Sequence, residues 1–186
     1  MSIDFKNKIN GVVSVIGASE INDDLREKTI EIGRLIAKNN YAIVCGGLSG
    51  VMEAVCKGAK KEGGFTIGII PSAEKTMANK YVDLVIPVPF SQARNIIVVL
   101  TGDVCLAISG KAGTLSEISF AWIYLKPIVA LTDVDGWSSK VANQKLDDRR
   151  SDMIYGVKTP QEAIEKINFL FKDRRKQDDI SLSNNF

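Results

Sequence analysis

The amino-acid sequence predicts an α/β domain with a Rossmann-like, doubly wound and mostly parallel sheet that carries helices on both faces. Two observations support this fold. Short apolar runs rich in β-branched residues alternate with amphipathic segments of helical period, and small residues follow several of the apolar runs. The chain has 186 residues, 45% of them hydrophobic, which is enough for one buried core and too little for two ordinary domains.

The first part of the chain predicts three strands separated by two helices. The strands are expected at residues 12–17, 41–45 and 66–70, and the helices at 25–40 and 51–64. Asp23 or Asp24 is expected to cap the first helix, and Asn39 and Asn40 to end it.

The second part predicts further alternation and then a polar segment. Strands are expected at residues 82–88, 103–109 and 127–132, and helices at 91–102 and 114–125. Residues 133–152 are polar and loop-like, and a small final unit combines a strand at 154–157 with a helix at 160–171. We therefore expect a single domain over residues 1–172, followed by a polar, frayed tail over residues 173–186.

The charge balance argues against nucleic acid and membrane surfaces as partners. Lys and Arg number 24 and Asp and Glu number 22, so the formal net charge is only +2. The first 17 residues lack the pattern of a secretory signal, and no apolar run approaches the length of a membrane span. We expect a cytoplasmic protein.

Cysteine and histidine usage narrows the chemistry. Cys45, Cys56 and Cys105 are widely spaced within apolar surroundings, which predicts buried thiols. No Cys pair has metal-ligand spacing, so we expect no metal site. Histidine is absent, which excludes an imidazole base or nucleophile partner and leaves carboxylate, hydroxyl, amine, guanidinium and backbone groups.

Three loops that follow predicted strands combine small residues with an imminent helix. Because ligands of parallel sheets bind at the carboxyl ends of the strands, backbone amides there are expected to approach an anion. The expected phosphate-binding residues are Gly17, Ala18 and Ser19 in the first loop, Gly46, Gly47 and Gly50 in the second, and Gly110, Lys111, Ala112, Gly113 and Thr114 in the third. A purely conformational role for the glycines is the alternative. Neither G-x-G-x-x-G nor a Walker A loop occurs, which disfavours ordinary NAD dehydrogenases and P-loop NTPases.

Two charged side chains are candidates for chemistry. Glu117 lies three residues after Thr114, so it is either a functional carboxylate or the second member of a helix-capping box. Arg94 precedes the fifth strand, where its planar guanidinium suits a phosphate or a carboxylate. An exposed surface arginine is the alternative reading.

Three segments of the chain carry a family resemblance: CGGLSGVMEAV, the ARN at Arg94 and Asn95, and SGKAGTLSE. Through them the chain resembles the lonely-guy family, often mislabelled lysine decarboxylases, and its relatives the molybdenum-cofactor carrier proteins. The resemblance covers about residues 12–132. It implies a Rossmann-like fold and a dimer or larger oligomer. It also implies that Gly110, Gly113 and Thr114 hold a phosphate, while Arg94 and Glu117 are catalytic if the protein hydrolyses the N-glycosidic bond of a nucleoside monophosphate.

The sequence also departs from the lonely-guy motif P-G-G-x-G-T-x-x-E. Ser109 replaces the proline, Lys111 replaces the second glycine, and QARN replaces H-x-R-K. The chain therefore looks closer to the carrier branch, which implies a binding or carrier protein for a molybdenum-cofactor-like pterin or an AMP-like nucleotide and no required cofactor. Phosphoribohydrolase activity and a nucleotide-sensing regulatory role remain as alternatives. Lysine decarboxylation is not expected, because nothing resembles a pyridoxal-phosphate site.

The segment ISFAWIYLK predicts an interface with a second copy of the chain. Phe120, Trp122, Ile123 and Tyr124 surround much of the helix, which is more apolar surface than one buried stripe requires. Core packing is the alternative, and the resemblance favours a homodimer.

Overall fold

Seven parallel strands form one sheet in the computed structural model, which describes residues 9–183 and the side chains of residues 9–173. The strands lie in the order β4-β3-β2-β1-β5-β6-β7, and every neighbouring pair is parallel. They are β1 Gly11–Gly17, β2 Tyr41–Cys45, β3 Thr66–Ile70, β4 Leu84–Pro87, β5 Val104–Ile108, β6 Ile128–Leu131 and β7 Tyr155–Val157. The predicted Rossmann-like α/β fold is confirmed.

Helices cover both faces of the sheet, as a doubly wound topology requires. They are α1 Asp23–Lys38, α2 Val51–Lys60, α3 Asn95–Thr101, α4 Ala112–Ile123, α5 Trp137–Val141 and α6 Pro160–Ser183, with 3₁₀ turns at Lys75–Met77 and Ser91–Arg94. One apolar core lies beneath α1, α2 and α6, and the other lies beneath α3, α4 and α5. The chain reverses its winding direction at β1, so the crevice between the carboxyl ends of β1 and β5 is the topological switch point.

The start of α1 differs from the sequence prediction. Asn22, and neither Asp23 nor Asp24, is the N-cap residue, and its side-chain oxygen accepts a hydrogen bond from the Leu25 amide at 2.9 Å. The two aspartates instead occupy the first turn, where negative charge is favoured by the helix dipole.

Two other predictions are corrected in the second half of the chain. The polar segment 133–152 contains α5, which is too short to produce a helical hydrophobic period. The predicted helix at 91–102 begins as a 3₁₀ turn and becomes α-helical only from Asn95.

The carboxyl terminus is helical beyond the predicted end of the domain. We expected residues 173–186 to be frayed, whereas α6 continues through Ser183. Its charged residues are mostly good helix formers, which is consistent with continuation of the helix. Residues 184–186 of the predicted tail and residues 1–8 of the predicted domain lie outside the described residues.

All three cysteine thiols are buried and free, as predicted. Among the helices of residues 9–183, none has the length and apolar character needed to cross a lipid bilayer.

Candidate functional site

A cavity of about 370 Å³ opens at the carboxyl ends of the central strands, at the switch point of the sheet. The loops after β1 and β2, the 3₁₀ turn before α3 and the start of α4 all contribute to its wall. The sequence-predicted residues that line it are Gly17, Ala18, Ser19, Gly46, Arg94, Lys111, Gly113, Thr114 and Glu117. The fold therefore brings residues from four separate segments into one cleft.

The other four predicted residues lie outside the lining of this cavity: Gly47, Gly50, Gly110 and Ala112. Gly47, Gly50 and Gly110 have φ angles of 71°, 69° and 99°, which favour glycine. Ala112 is the first residue of α4 and is exposed. Here the three glycines shape the loops, which is the conformational role considered as the alternative.

The glycine loop after β2 is tied to the loop after β1. The Val51 amide at the start of α2 donates to the Ala18 carbonyl at 2.9 Å, and Ser49 Oγ donates to the Ser19 carbonyl at 3.1 Å. A Cβ atom at Gly50 would lie only 2.4 Å from the Ala18 carbonyl oxygen, so glycine permits this close approach. The first amide of α2 is thus satisfied within the protein.

The start of α4 is different, because its first amides have no acceptor among residues 9–183. Lys111 is the N-cap residue in an extended conformation, and no side chain caps the helix. No described group accepts a hydrogen bond from the amides of Ala112, Gly113 or Thr114. A Cβ at Gly113 would meet only Gln92 Oε1, at 3.7 Å, so space is open beside these donors. Free amides at a helix N-terminus favour an anion.

The capping-box alternative for Thr114 and Glu117 is wrong. Helix α4 begins at Ala112, so Thr114 is its third residue and is not the N-cap. Glu117 consequently lies inside the helix, with its side chain lining the cavity.

Arg94 is buried in the cleft, not on the exposed surface considered as the alternative. Its side chain is only 7% exposed, and its Nε and Nη1 atoms are fully buried without any hydrogen-bond partner in the described part of the chain. Burial lowers its pKa, while the nearby Glu117 acts in the opposite direction. Since arginine stays protonated in proteins, this is a desolvated cation with unused donors.

Gly46 makes the position of Arg94 sterically possible. A Cβ atom at residue 46 would lie 2.2 Å from Nη1 and 2.6 Å from Nη2 of Arg94. The guanidinium therefore packs against the Gly46 backbone, in space that a side chain would occupy. The sequence analysis predicted Gly46 as a phosphate-binding residue. The structure shows in addition that Gly46 leaves room for the Arg94 guanidinium.

Glu117 is a buried carboxyl group in the same cavity. It is 7% exposed, and desolvation raises its pKa to about 7, against the opposing effect of Arg94. No hydrogen bond to Glu117 is found within residues 9–183, and it forms no close ion pair with Arg94 there. A carboxyl group that titrates near neutral pH can donate or accept a proton.

Asn95 is a cavity residue that the sequence analysis did not assign to the site. It is 2% exposed, and its Nδ2 donates to Ser116 Oγ at 2.9 Å and to the Gly113 carbonyl at 3.4 Å. Ser116 Oγ in turn donates to the Gly113 carbonyl at 2.6 Å. These bonds connect Asn95 to the first turn of α4. In the sequence, only the place of Asn95 in the ARN segment could have indicated that it belongs to the site.

Further lining residues were also missed. They are Val15, Ile16, Glu20, Leu48, Met52 and Gln92. The apolar members carry no local chemical signal, and their arrangement depends on contacts between distant segments. The cavity thus combines an apolar wall with cationic and carboxyl groups.

Comparison with known proteins places the chain among proteins of this fold. A family model described as the SLOG cluster4 family matches residues 10–164. A cytokinin riboside 5′-monophosphate phosphoribohydrolase of Mycobacterium tuberculosis is 33% identical over 129 residues, which are 64% of this chain and 67% of the relative.

Two solved structures share most of the architecture. The molybdenum cofactor binding protein of Rippkaea orientalis has a TM-score of 0.76 and 30% identity, covering 86% of this chain and 96% of that chain. The molybdenum cofactor carrier protein of Chlamydomonas reinhardtii has a TM-score of 0.75 and 26% identity, covering 87% of this chain and 99% of that chain. The match over residues 10–164, together with these likenesses across the fold, confirms the resemblance seen in the sequence: the chain is a member of the SLOG cluster4 family.

Proposed function

We propose that the chain is a cytoplasmic binding or carrier protein for a small phosphorylated ligand, held in the cleft at the carboxyl ends of β1, β2 and β5. The ligand is a molybdenum-cofactor-like pterin or an AMP-like nucleotide. The observation that carries the proposal is Arg94, whose buried guanidinium has two donor atoms without partners. A buried cation whose donors lack hydrogen-bond partners is costly, and a bound anion supplies both acceptors and negative charge.

The start of α4 supports the same ligand class. The amides of Ala112, Gly113 and Thr114 have no acceptor among the described residues, and Gly113 and Thr114 line the same cavity as Arg94. A phosphate accepts several such hydrogen bonds and is favoured by the helix dipole. Lys111 adds a positive charge at the rim.

The size of the cleft and the relatives support the two ligands named. A volume of about 370 Å³ lies at the lower end of the range for small-molecule sites, about 300–1,000 Å³, which suits one mononucleotide-sized molecule. The structural relatives from Rippkaea and Chlamydomonas are named for binding and carrying molybdenum cofactor.

Isothermal titration calorimetry with molybdenum cofactor, AMP and pyrophosphate as a control tests the proposal. We expect binding of the cofactor or AMP, and a loss of affinity of about tenfold or more in Arg94→Ala, because charged hydrogen bonds are removed. Arg149→Ala is the matched control, since Arg149 forms an exposed ion pair with Asp147 outside the cleft. Absence of binding to all three compounds would overturn the proposal and favour a regulatory module without this ligand.

A second candidate function is hydrolysis of a nucleoside 5′-monophosphate. The observation that favours it is Glu117, a carboxyl group with a pKa of about 7 in the same cavity as Arg94. In this reaction water attacks C1′ of the ribose and the C–N glycosidic bond breaks, with its electron pair leaving on the base. Glu117 takes a proton from the water and returns it to the base, which gives the free base and ribose 5-phosphate. The relative from Mycobacterium is named for such an activity.

Incubation with AMP, followed by chromatographic detection of adenine, distinguishes the hydrolase from the carrier. If the chain is a hydrolase, we expect adenine release from the wild type, loss of release in Glu117→Gln and unchanged release in Glu53→Gln. Activity that survives Glu117→Ala would contradict the role given to Glu117. AMP binding without adenine release would support the carrier.

We also propose that the protein is a homodimer formed through α3 and α4. These helices pack against each other. Large apolar side chains are exposed on both helices and on the two residues that follow α4: Ile97, Leu100, Ile123, Tyr124 and Leu125. Within 95–101 and 112–123 the only charged side chain is Glu117, which is buried. A surface of this kind is typical of protein–protein interfaces. Trp122, in contrast, is buried in the core. For this residue the alternative of core packing is correct, and it is not part of the exposed surface.

A further inference from the structure

The turn that precedes α4 is held by the segment that follows β6. The Ser109 amide donates to Ser138 Oγ at 2.8 Å, and the Ser138 amide donates back to the Ser109 carbonyl at 3.2 Å. The Trp137 amide donates to the Gly110 carbonyl at 2.9 Å. Residues 109 and 110 thus have three hydrogen bonds to two consecutive residues at the start of α5.

Ser138 connects this turn to the sheet. Its side chain is fully buried, and its hydroxyl donates to the Leu131 carbonyl at the end of β6 at 2.8 Å while it accepts from Ser109. One hydroxyl therefore serves both as acceptor and as donor, and it fixes the turn relative to β6. An alanine at position 138 would leave both partners without this bond.

The backbone of the turn explains why such support is needed. Ser109 and Gly110 have φ angles of 59° and 99°, in the left-handed region that is unfavourable for serine. A Cβ at Gly136 would lie 2.7 Å from the Gly110 amide nitrogen and carbonyl oxygen, so the two backbones are in close contact. Conformations of this kind persist where surrounding contacts hold them in place.

We propose that Ser138 is a positioning residue for the anion-binding amides of α4, although it lies outside the cavity. Its hydroxyl holds the Ser109–Gly110 turn, and this turn fixes the position of Lys111, the N-cap residue of α4. The start of α4 in turn directs the amides of Gly113 and Thr114 towards the cleft. The ligand part of this inference rests on the proposed function, whereas the placement of the amides does not.

The test compares Ser138→Ala with Ser139→Ala. Ser139 is the matched control because it lies in the same helix and its Oγ bonds only to the Gly136 carbonyl, at 3.0 Å, among the contacts found. Amide chemical shifts of residues 112–114, which form no hydrogen bond with Ser138 themselves, are measured in both variants without ligand, and affinities for AMP and inorganic phosphate are measured by calorimetry. We expect shifted amides and about tenfold weaker binding in Ser138→Ala, since a buried partner is lost, and wild-type values in Ser139→Ala.

A merely structural role gives a different result. If Ser138 only stabilised the fold, the folded fraction of Ser138→Ala would keep wild-type amide shifts at residues 112–114 and wild-type affinity, and the inference would be overturned. Should Ser138→Ala fail to fold, Ser138→Cys replaces it, because the thiol keeps a similar shape but bonds weakly. Unchanged amide shifts in Ser138→Cys would likewise overturn the inference. If the wild type bound neither of these probes nor molybdenum cofactor, the proposed function would be contradicted, while shifted amides would still support the positioning role.

Discussion

The Arg94 guanidinium can pack against residue 46 only because glycine has no side chain there. Gly46 has no positive φ angle, so alanine is compatible with its backbone and the effect of Gly46→Ala is steric. We expect this variant to displace the guanidinium and to weaken AMP binding as strongly as Arg94→Ala does. Calorimetry on both single variants and the double variant checks this. A double variant that binds clearly more weakly than Arg94→Ala would show that Gly46 has a second role.

Glu117 predicts a dependence of stability on pH. Its pKa is about 7 in the folded protein against 4.5 for an unperturbed glutamate, so the folded state retains a proton that the unfolded state loses. The free energy of unfolding should therefore fall as the pH rises from 4.5 to about 7, by about 3 kcal/mol from this group, since one pKa unit is worth about 1.4 kcal/mol.

Urea unfolding across this pH range, with Glu117→Gln as the reference, checks that prediction. Glutamine has nearly the same shape and does not titrate, so the difference between the two proteins isolates the carboxyl group. Parallel stability curves for the wild type and Glu117→Gln would contradict the raised pKa.

Residue-scale chemistry could be predicted from the sequence only where its signal is local. The SGKAGTLSE segment indicated Gly113, Thr114 and Glu117, and all three line the cavity. The contact of Arg94 with Gly46 and the bonds of Ser138 to Ser109 could not be predicted, because each joins segments that meet only in the folded sheet.

At the scale of elements, the start of α1 shows how a local bond decides where a helix begins. Asn22→Ala removes the oxygen that accepts from the Leu25 amide and should lower the free energy of unfolding by about 1 kcal/mol. Asp24→Ala is the control, since Asp24 makes no capping bond. Chemical denaturation measures both, and an equal loss in the two variants would show that general helix electrostatics and not the cap matters.

The elements that sequence patterns predicted are those with a clear apolar run or a helical apolar period. Strands β2 and β3 have the predicted bounds, because each is a run of five mostly apolar residues, YAIVC and TIGII, with turn residues on both sides. Helix α5 escaped prediction because its five residues, WSSKV, contain no repeat, and its position depends on contacts with Ser109 and Gly110.

At the scale of the whole molecule, the exposed α3–α4 surface predicts a dimer. Ile123 is 46% exposed there, and Ile123→Lys should place a charge in the interface and give a monomer by light scattering. Leu146→Lys is the matched control, because Leu146 is a partly exposed apolar residue outside these helices. A monomeric wild type would contradict the interface.

The order of the strands has a consequence for how the molecule reaches its native state. The central strand β1 pairs with β5, and the Val12 amide donates to Asp103 across a separation of 91 residues. Such distant pairings carry a high loop-closure entropy, so this topology is expected to fold more slowly than one built from local hairpins. A nascent chain that has emerged from the ribosome only as far as β4 lacks β5 and α4, so two of the elements that form the cleft are still missing.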